Sequence, residues 1–507
     1  MGAGMSRLAP GRLVGVVVGV VGAGTMGAGI AQVAAAAGHP VRLFDVRPGA
    51  AAAAHAQIAI ALSRLVDKGK MDALTCHQLL SRIAAVEALH DLSEASLVIE
   101  VIVEDLAAKQ GLLRELENHV AADAVLASNT STISVTAIAQ GMRNPERVIG
   151  MHFFNPVPQM KLVEVVSGAE TTSGVAADIF ALAQSWGKTP VHARSTPGFI
   201  VNRIARPFYA ETLQLLLEQA ATPAELDECA RGAGFRMGPC ELMDLIGHDI
   251  NYAVTLSVFH ATYGDRRFQP SPVQKALVDG GRLGRKSGKG FFEGSAAVSA
   301  AVEPLKPASL AVHGAGALAA RLAQLLAQRG VAFERCSASD WQGLMVGGVR
   351  LHITDGRSAA QMAAQSGYVE TAVIDWPLGT APGALAIAFG PNASAPARRS
   401  ACGALAACGW QPRILRDIAG LLVARTVAML INEAADTVWQ GVCDEAGADQ
   451  AMRLGTNYPS GPFEWLEQAG VDATVAVLDH LDGAYRGERY RVSPLLRQRY
   501  WIEKSRA

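Results

Sequence analysis

The chain has 507 residues, of which 50% are hydrophobic and 18% charged. That composition supports a sizeable core, spread over three or four domains at roughly 150 residues each, and excludes wholesale disorder. Lys+Arg 45 against Asp+Glu 46 leaves a formal charge of −1, so no basic excess exists to neutralise a phosphate backbone, and a nucleic-acid binder is disfavoured. The 7 cysteines are scattered and include no Cys-x-x-Cys, which reads as a reduced, cytoplasmic protein with neither a disulfide framework nor a structural metal.

From Leu13 to Val41 no residue carries a formal charge, and Arg7 and Arg12 precede the run. Hydropathy alone would read this as a signal peptide or membrane helix. The internal pattern favours strand, turn and helix. Residues 14–21 are β-branched and punctuated by glycine, as in a buried parallel strand. Gly22-Ala23-Gly24-Thr25-Met26-Gly27 follows, and then an Ala-rich stretch that stops at Gly38. G-x-G-x-x-G between strand and helix is the dinucleotide fingerprint: tight turn at Gly22, close approach of a pyrophosphate at Gly24, helix–strand packing at Gly27. Thr25 and Met26 open the helix whose N-terminus favours phosphate. A second strand from Val41 ends in Asp45, 18 residues past Gly27 (45 − 27), close to the ~20 expected of the acid on the adenosine ribose. A carboxylate there repels a 2′-phosphate and favours NAD over NADP; the nearby Arg47 points mildly the other way.

Further along, Ser96 to Glu104 is an apolar strand reaching an acid, and Ala124 to Ser131 is a strand running into Ser128-Asn129-Thr130-Ser131. In an open parallel sheet both polar ends face the crevice that holds the ligand. Residues 147–158 place His152 near the end of a short strand, followed by Asn155 and a Pro-Val-Pro turn, and Lys161 to Val166 brings Glu164. Imidazole is suited to proton transfer near neutral pH, and a carboxylate on its other nitrogen fixes the tautomer. Spacing alone does not show that His152 and Glu164 meet.

The sequence resembles the L-3-hydroxyacyl-CoA dehydrogenase family. The resemblance rests on Val21 to Gln32, Ser128 to Ser131, Met151 to Pro158, Lys161 to Val166, Pro197-Gly198-Phe199-Ile200-Val201-Asn202-Arg203 and Gly281 to Phe292, in the family's order over residues 14–294. It implies an NAD-dependent enzyme acting on an acyl-CoA, with His152 as general base, Glu164 as its partner, and Ser131 and Asn202 holding the reacting oxygen or thioester carbonyl. It places Glu104, Lys109, Ser131 and Asn155 around the nicotinamide half of the cofactor and Lys68 at CoA. Ala61 stands where some members carry a serine.

The expected fold class is α/β. An NAD-binding Rossmann domain (1–195) leads into an all-α domain (196–294), then a degenerate Rossmann-like segment (303–417) and a second all-α domain (418–507). The second half echoes the first. Gly420 to Arg425 matches Gly198 to Arg203, and Glu433 matches Glu211, at a constant offset of 222 (424 − 202 and 433 − 211), the mark of a duplication. Ala424 replaces Asn202, so the second copy lacks that donor. His313-Gly314-Ala315-Gly316 with Ala319 is a worn glycine loop, read as lacking NAD, and no counterpart of the His152 or Glu164 segments precedes Ala419. In the family the helical domain mediates dimerisation, so 418–507 is expected to pack on 196–294 as a built-in pseudo-dimer partner, with self-association through other faces left open.

Long members of this kind resemble the dehydrogenases of phenylacetate-type catabolism and of short-chain 3-hydroxybutyryl-CoA metabolism. A dicarboxylyl tail such as 3-hydroxyadipyl needs a cation for its distal carboxylate; Arg203, Arg206 and Arg236 are the candidates. Two rival readings stay open: another Rossmann hydroxyacid dehydrogenase, and a non-catalytic NAD/CoA-binding subunit.

Overall fold

β-Branched runs of four to six residues alternate with Ala- and Leu-rich helical runs through the first two hundred positions, and this alternation builds a parallel sheet covered by helices. In the computed structural model the described residues are 13–294 and 299–506; Arg7 and Arg12 lie outside them. They divide into two compact units, one ending at Asn202 but including Gly441–Gly455, the other formed by Arg203–Gln440 and the residues from Thr456 onward.

The first unit holds an eight-stranded sheet. Its strands are β1 (Val18–Val21), β2 (Val41–Phe44), β3 (Ile83–Val86), β4 (Leu97–Glu100), β5 (Val125–Ser128), β6 (Val148–Phe153), β7 (Leu162–Ser167) and β8 (Thr189–Arg194). The order is β3-β2-β1-β4-β5-β6-β7-β8, the doubly wound arrangement, with antiparallel pairing only between β6 and β7. Because β1, β2, β4 and β5 run parallel, Gly22, Asp45, Glu104 and Ser131 all follow carboxyl ends on one edge. Val18, Val20, Leu43, Leu97 and Ile99 are fully buried, so the uncharged opening run is sheet core. No described helix is long and apolar enough to cross a membrane.

The second unit holds helices from both copies and a seven-stranded sheet: β9 (Leu310–His313), β10 (Glu334–Cys336), β11 (Gly343–Val346), β12 (Val349–Ile353), β13 (Thr371–Ile374), β14 (Gly383–Phe389) and β15 (Trp410–Ile414). The order is β10-β9-β11-β12-β13-β14-β15. Its last four strands pair parallel, antiparallel, parallel, as β5 to β8 do. The long Val423–Trp439 helix is buried along nearly its whole length. A helix buried all round needs partners on every side, here Arg206–Leu217, Pro462–Ala469, Val471–Tyr485 and Pro494–Lys504.

Candidate active site

The glycines of the first turn are there for space. Gly22 adopts φ +108, and a Cβ on it would lie 2.5 Å from the Val101 carbonyl oxygen. A Cβ on Gly27 would lie 1.8 Å from the Gly22 oxygen, whereas one on Gly24 would meet nothing within 4 Å. Gly24 is therefore the open position, and it caps the Thr25–Ala36 helix without any side-chain hydrogen bond. The helix start presents backbone to an anion. Beside it, Asp45 accepts from Ala23 N at 2.8 Å and from Arg47 N at 3.0 Å. The Arg47 guanidinium grips both carboxylate oxygens at 3.0 Å. That bond, with those from the backbone, lowers the Asp45 pKa to about 2 despite partial burial, so Asp45 is a fixed negative charge at neutral pH. A cavity of about 980 Å³ runs from Gly22, Gly24 and Asp45 past Leu89, Val101 and Leu112, a size that suits a nucleotide half.

Next in the crevice is a buried charge network. Lys109, 1% exposed, donates to Glu100 at 2.7 Å and lies 3.2 Å from Glu104. Glu104 accepts from Thr130 Oγ1 at 2.6 Å and from the amides of Ser131 and Thr132 at 3.0 and 3.2 Å. Burial opposes its ionisation, but the Thr130 bond and the Lys109 charge outweigh that and hold its carboxyl below the ordinary value. Ser128 Oγ donates to Glu100 at 2.5 Å. Ser128 was expected only as part of the polar turn, and Glu100 was not singled out from sequence; its signal was a lone acid closing a fully buried strand, nine positions before a lysine.

β6 and β7 settle whether the histidine and glutamate meet. Their antiparallel register sets His152 directly opposite Glu164, and Nδ1 lies 2.5 Å from Oε2. The other carboxylate oxygen accepts from Ile200 N at 3.1 Å and Val201 N at 2.9 Å. Glu164 is completely buried, so its orientation is fixed from both sides. The imidazole packs against Phe154, with ring centroids 4.5 Å apart, and Phe199 at 6.0 Å. Asn129 Oδ1 accepts from Phe153 N at 2.8 Å, tying the end of β6 to the turn after β5. Asn202 Nδ2 reaches the Ser131 carbonyl oxygen at 3.4 Å. Ser131, His152, Glu164 and Asn202 are thus drawn together, with Glu104 and Lys109 joined through Ser131. Asn155 is exposed two residues past β6, and Lys68 is the exposed C-cap of the Ala50–Asp67 helix; neither enters this hydrogen-bond network.

The model of the 3-hydroxyacyl-CoA dehydrogenase NAD binding domain matches residues 17–196, and that of the family's C-terminal domain matches 198–294 and again 420–505. The chain belongs to the 3-hydroxyacyl-CoA dehydrogenase family. It is an NAD-dependent oxidoreductase, and the glycine turn with Asp45 fits that cofactor. Residues 351–418 match a 3-hydroxybutyryl-CoA dehydrogenase reduced Rossmann-fold domain. A 3-hydroxyadipyl-CoA dehydrogenase of Escherichia coli K12 is 44% identical over 496 residues, covering 96% of this chain and 98% of that protein. A probable 3-hydroxybutyryl-CoA dehydrogenase of Bacillus subtilis is 42% identical over 275 residues, 54% of this chain and 96% of that one. The crystal structure of 3-hydroxybutyryl-CoA dehydrogenase from E. coli K12 superposes with a TM-score of 0.89 at 41% identity, covering 97% of this chain and 99% of that one.

The structure spends two of the three arginines proposed for a distal carboxylate elsewhere. Arg203 is buried and bonds Glu433 at 2.6 Å and Gln440 at 2.9 Å. Arg206 is buried, donates to Thr255 at 3.2 Å and lies over the Tyr209 ring. Arg236 is exposed. In the second sheet the worn glycine loop lacks the open backbone of Gly24: a Cβ on Gly316 would lie 2.3 Å from Gln342 Oε1. There β11 runs antiparallel beside β9, where the first sheet has β4 parallel to β1.

No Glu164 segment recurs before Ala419, but an acid from another strand serves the second copy's matching amides. Asp375, just past β13, accepts from the amides of Leu422, Val423 and Ala424 at 3.0, 2.6 and 2.8 Å. These match Ile200, Val201 and Asn202 at the offset of 222. The acid sits on the other strand of the antiparallel pair, which sequence comparison could not follow. Burial raises the Asp375 pKa to about 6 against the pull of those amides.

Proposed function

We propose that this enzyme interconverts an L-3-hydroxyacyl-CoA and the 3-oxoacyl-CoA with His152 as the general base, on a four-carbon or dicarboxylyl six-carbon acyl chain. The observation that carries the reading is the His152–Glu164 pair, with the second carboxylate oxygen locked by two amides. With Nδ1 engaged by Glu164, Nε2 is the nitrogen left to take the proton of the 3-hydroxyl. Glu164 holds the ring in that tautomer and stabilises the imidazolium that forms. NAD, when bound, supplies the hydride acceptor. Asn202 and Ser131 donate toward the oxygen that gains charge, a role in which aimed donors are effective. Glu104 and Lys109 order the 128–132 turn that carries Ser131, and Lys68 serves CoA. The names of the relatives support both chain lengths, and with Arg203 and Arg206 consumed, Arg236 is the remaining arginine for a distal carboxylate. We place the enzyme in the cytoplasm.

We further propose that the two helical copies form an intramolecular two-fold pair. The support is reciprocity. Arg203 bonds Glu433 while Arg425 bonds Glu211 at 3.0 Å. Arg267 bonds Glu433 at 3.1 Å while Arg489 bonds Glu211 at 2.8 Å. Each partner is displaced by 222, the pattern of an isologous interface.

Asp45 gives the cofactor test. Asp45→Ala removes the ribose acceptor and releases Arg47 toward a 2′-phosphate. The kcat/KM ratio of NADH over NADPH is expected to fall by about 10- to 100-fold, the worth of one hydrogen bond to a charged group. An unchanged ratio would remove Asp45 from the ribose site.

A further inference from the structure

We infer that the Glu445–Thr456 helix, contributed by the second helical copy, is a positioning element for His152, seated by Gly455. This rests on the reading of His152 as the general base. The helix belongs by sequence to the C-terminal copy, but up to Gly455 it belongs by structure to the first unit. Its lead-in is pinned where Arg194 N, at the last residue of β8, donates to Val442 O at 2.9 Å.

The strand register shows which face it covers. Val191 pairs with Glu164 across β8 and β7, and Leu162 lies two residues from Glu164, so all three share one face. A Cβ on Gly447 would lie 2.8 Å from Val191 Cγ1. A Cβ on Gly455 would lie 2.8 Å from Leu162 Cδ2, 3.0 Å from Val201 Cγ2 and 3.6 Å from Phe154 Cε1. Gly447, Ala451 and Gly455 recur every fourth residue, which keeps one side of the helix bare and lets it lie close. The helix therefore closes the sheet face that carries Glu164.

Two of the residues under Gly455 hold the base. Phe154 packs on the imidazole, and Val201 N–H bonds Glu164. A Cβ at 455 presses on Leu162 and Val201 and a larger side chain reaches Phe154 as well, while the dry cover over Glu164 strengthens its hold on the ring. The first copy's matching helix, Pro223–Gly232, ends in Gly232, whose Cβ would lie 1.9 Å from the Ala384 carbonyl of β14. The two copies thus use the same glycine contact on two sheets, only one of which carries a histidine–glutamate pair.

The test is steady-state kinetics on full-length Gly455→Ala and Gly455→Val, with NADH affinity from fluorescence titration. The parent is assayed first with acetoacetyl-CoA and 3-oxoadipyl-CoA; a parent inactive on both fails the proposed function, not this inference. With an active parent, kcat should fall with side-chain size, by about 10- to 100-fold for valine, the cost of a misplaced catalytic group. NADH affinity should stay within about twofold, because the nucleotide cavity lies among residues 21–119. Adding Leu162→Ala to Gly455→Ala should recover much of the lost kcat, which keeps the question answerable if the valine variant does not fold. Unchanged kcat in the alanine variant with an active parent, or a loss of kcat matched by loss of NADH affinity, overturns the inference.

Discussion

His152→Ala lowers kcat for NADH-dependent reduction of a 3-oxoacyl-CoA by about 10²- to 10⁴-fold, the span of a lost general acid–base group. In this direction the imidazolium delivers the proton that the alkoxide needs; the rings packed on it, Phe154 and Phe199, carry no proton to give, and Glu164 is held on the Nδ1 side by His152 and two amides. Affinity for NADH stays near the parent value, since Gly22, Gly24 and Asp45 line a cavity that does not include His152. Glu164→Gln gives a related loss by another route. The carboxylate accepts on both oxygens, from the imidazole side and from two amides, whereas a carboxamide offers one acceptor and one donor. One side of that carboxamide then opposes a donor, either turning the ring or unseating the 199–202 turn. Stopped-flow absorbance of NADH with matched titrations checks both variants. A His152→Ala enzyme within tenfold of the parent contradicts the proposed mechanism.

Glu211→Gln carries the largest expected loss of stability, about 3–5 kcal/mol, the cost of stranding a buried charge partner. Glu211 is fully buried, and Arg425 and Arg489 both converge on it, with Tyr490 Oη donating at 3.0 Å. Neutralising the acid leaves a fully buried Arg425 and a partly buried Arg489 facing each other. Adding Arg425→Met should return part of the loss, since a well-packed apolar group replaces a broken pair at lower cost, and a double-mutant cycle separates the two contributions. Burial opposes ionisation of Glu211, but the charges of Arg489 and Arg425 outweigh it and hold its pKa below the ordinary value. The sign follows. A depressed folded-state pKa contributes stability above the unfolded value, and that contribution is lost as pH falls through the folded one. The parent should therefore lose more stability than Glu211→Gln on acidification below the ordinary carboxylate range. Thermal unfolding over a pH series reads this directly, and equal acid sensitivity would place the stabilising charge elsewhere.

What could be read from sequence was local. The glycine turn and Asp45 are separated by one helix, and each residue type answers a steric or charge demand within that unit. His152 and Glu164 were legible as candidates because a short loop joins two adjacent strands, but only the register shows that they oppose each other. Arg203 was drawn away from the distal-carboxylate role for a tertiary reason: its acid lies 230 positions away at Glu433, and no pattern near it marks that pairing. Asp375 escaped because the acid changed strands while the amides it serves kept their offset. The stretch 441–455 escaped because a repeat was expected to fold as one contiguous body, whereas its second helix packs on the sheet of the other half of the chain. The offset of 222 already linked Arg203 with Arg425 and Glu211 with Glu433; that these four form crossed pairs depends on packing.

The most direct test of the central claim is absorbance at 340 nm with NADH, comparing acetoacetyl-CoA with 3-oxoadipyl-CoA on the parent and on His152→Ala. The account predicts NADH consumption with at least one of these thioesters and its near-complete loss in the variant, with the rate ratio choosing between the four-carbon and dicarboxylyl chains. No consumption with either thioester, or consumption that survives loss of His152, would contradict it.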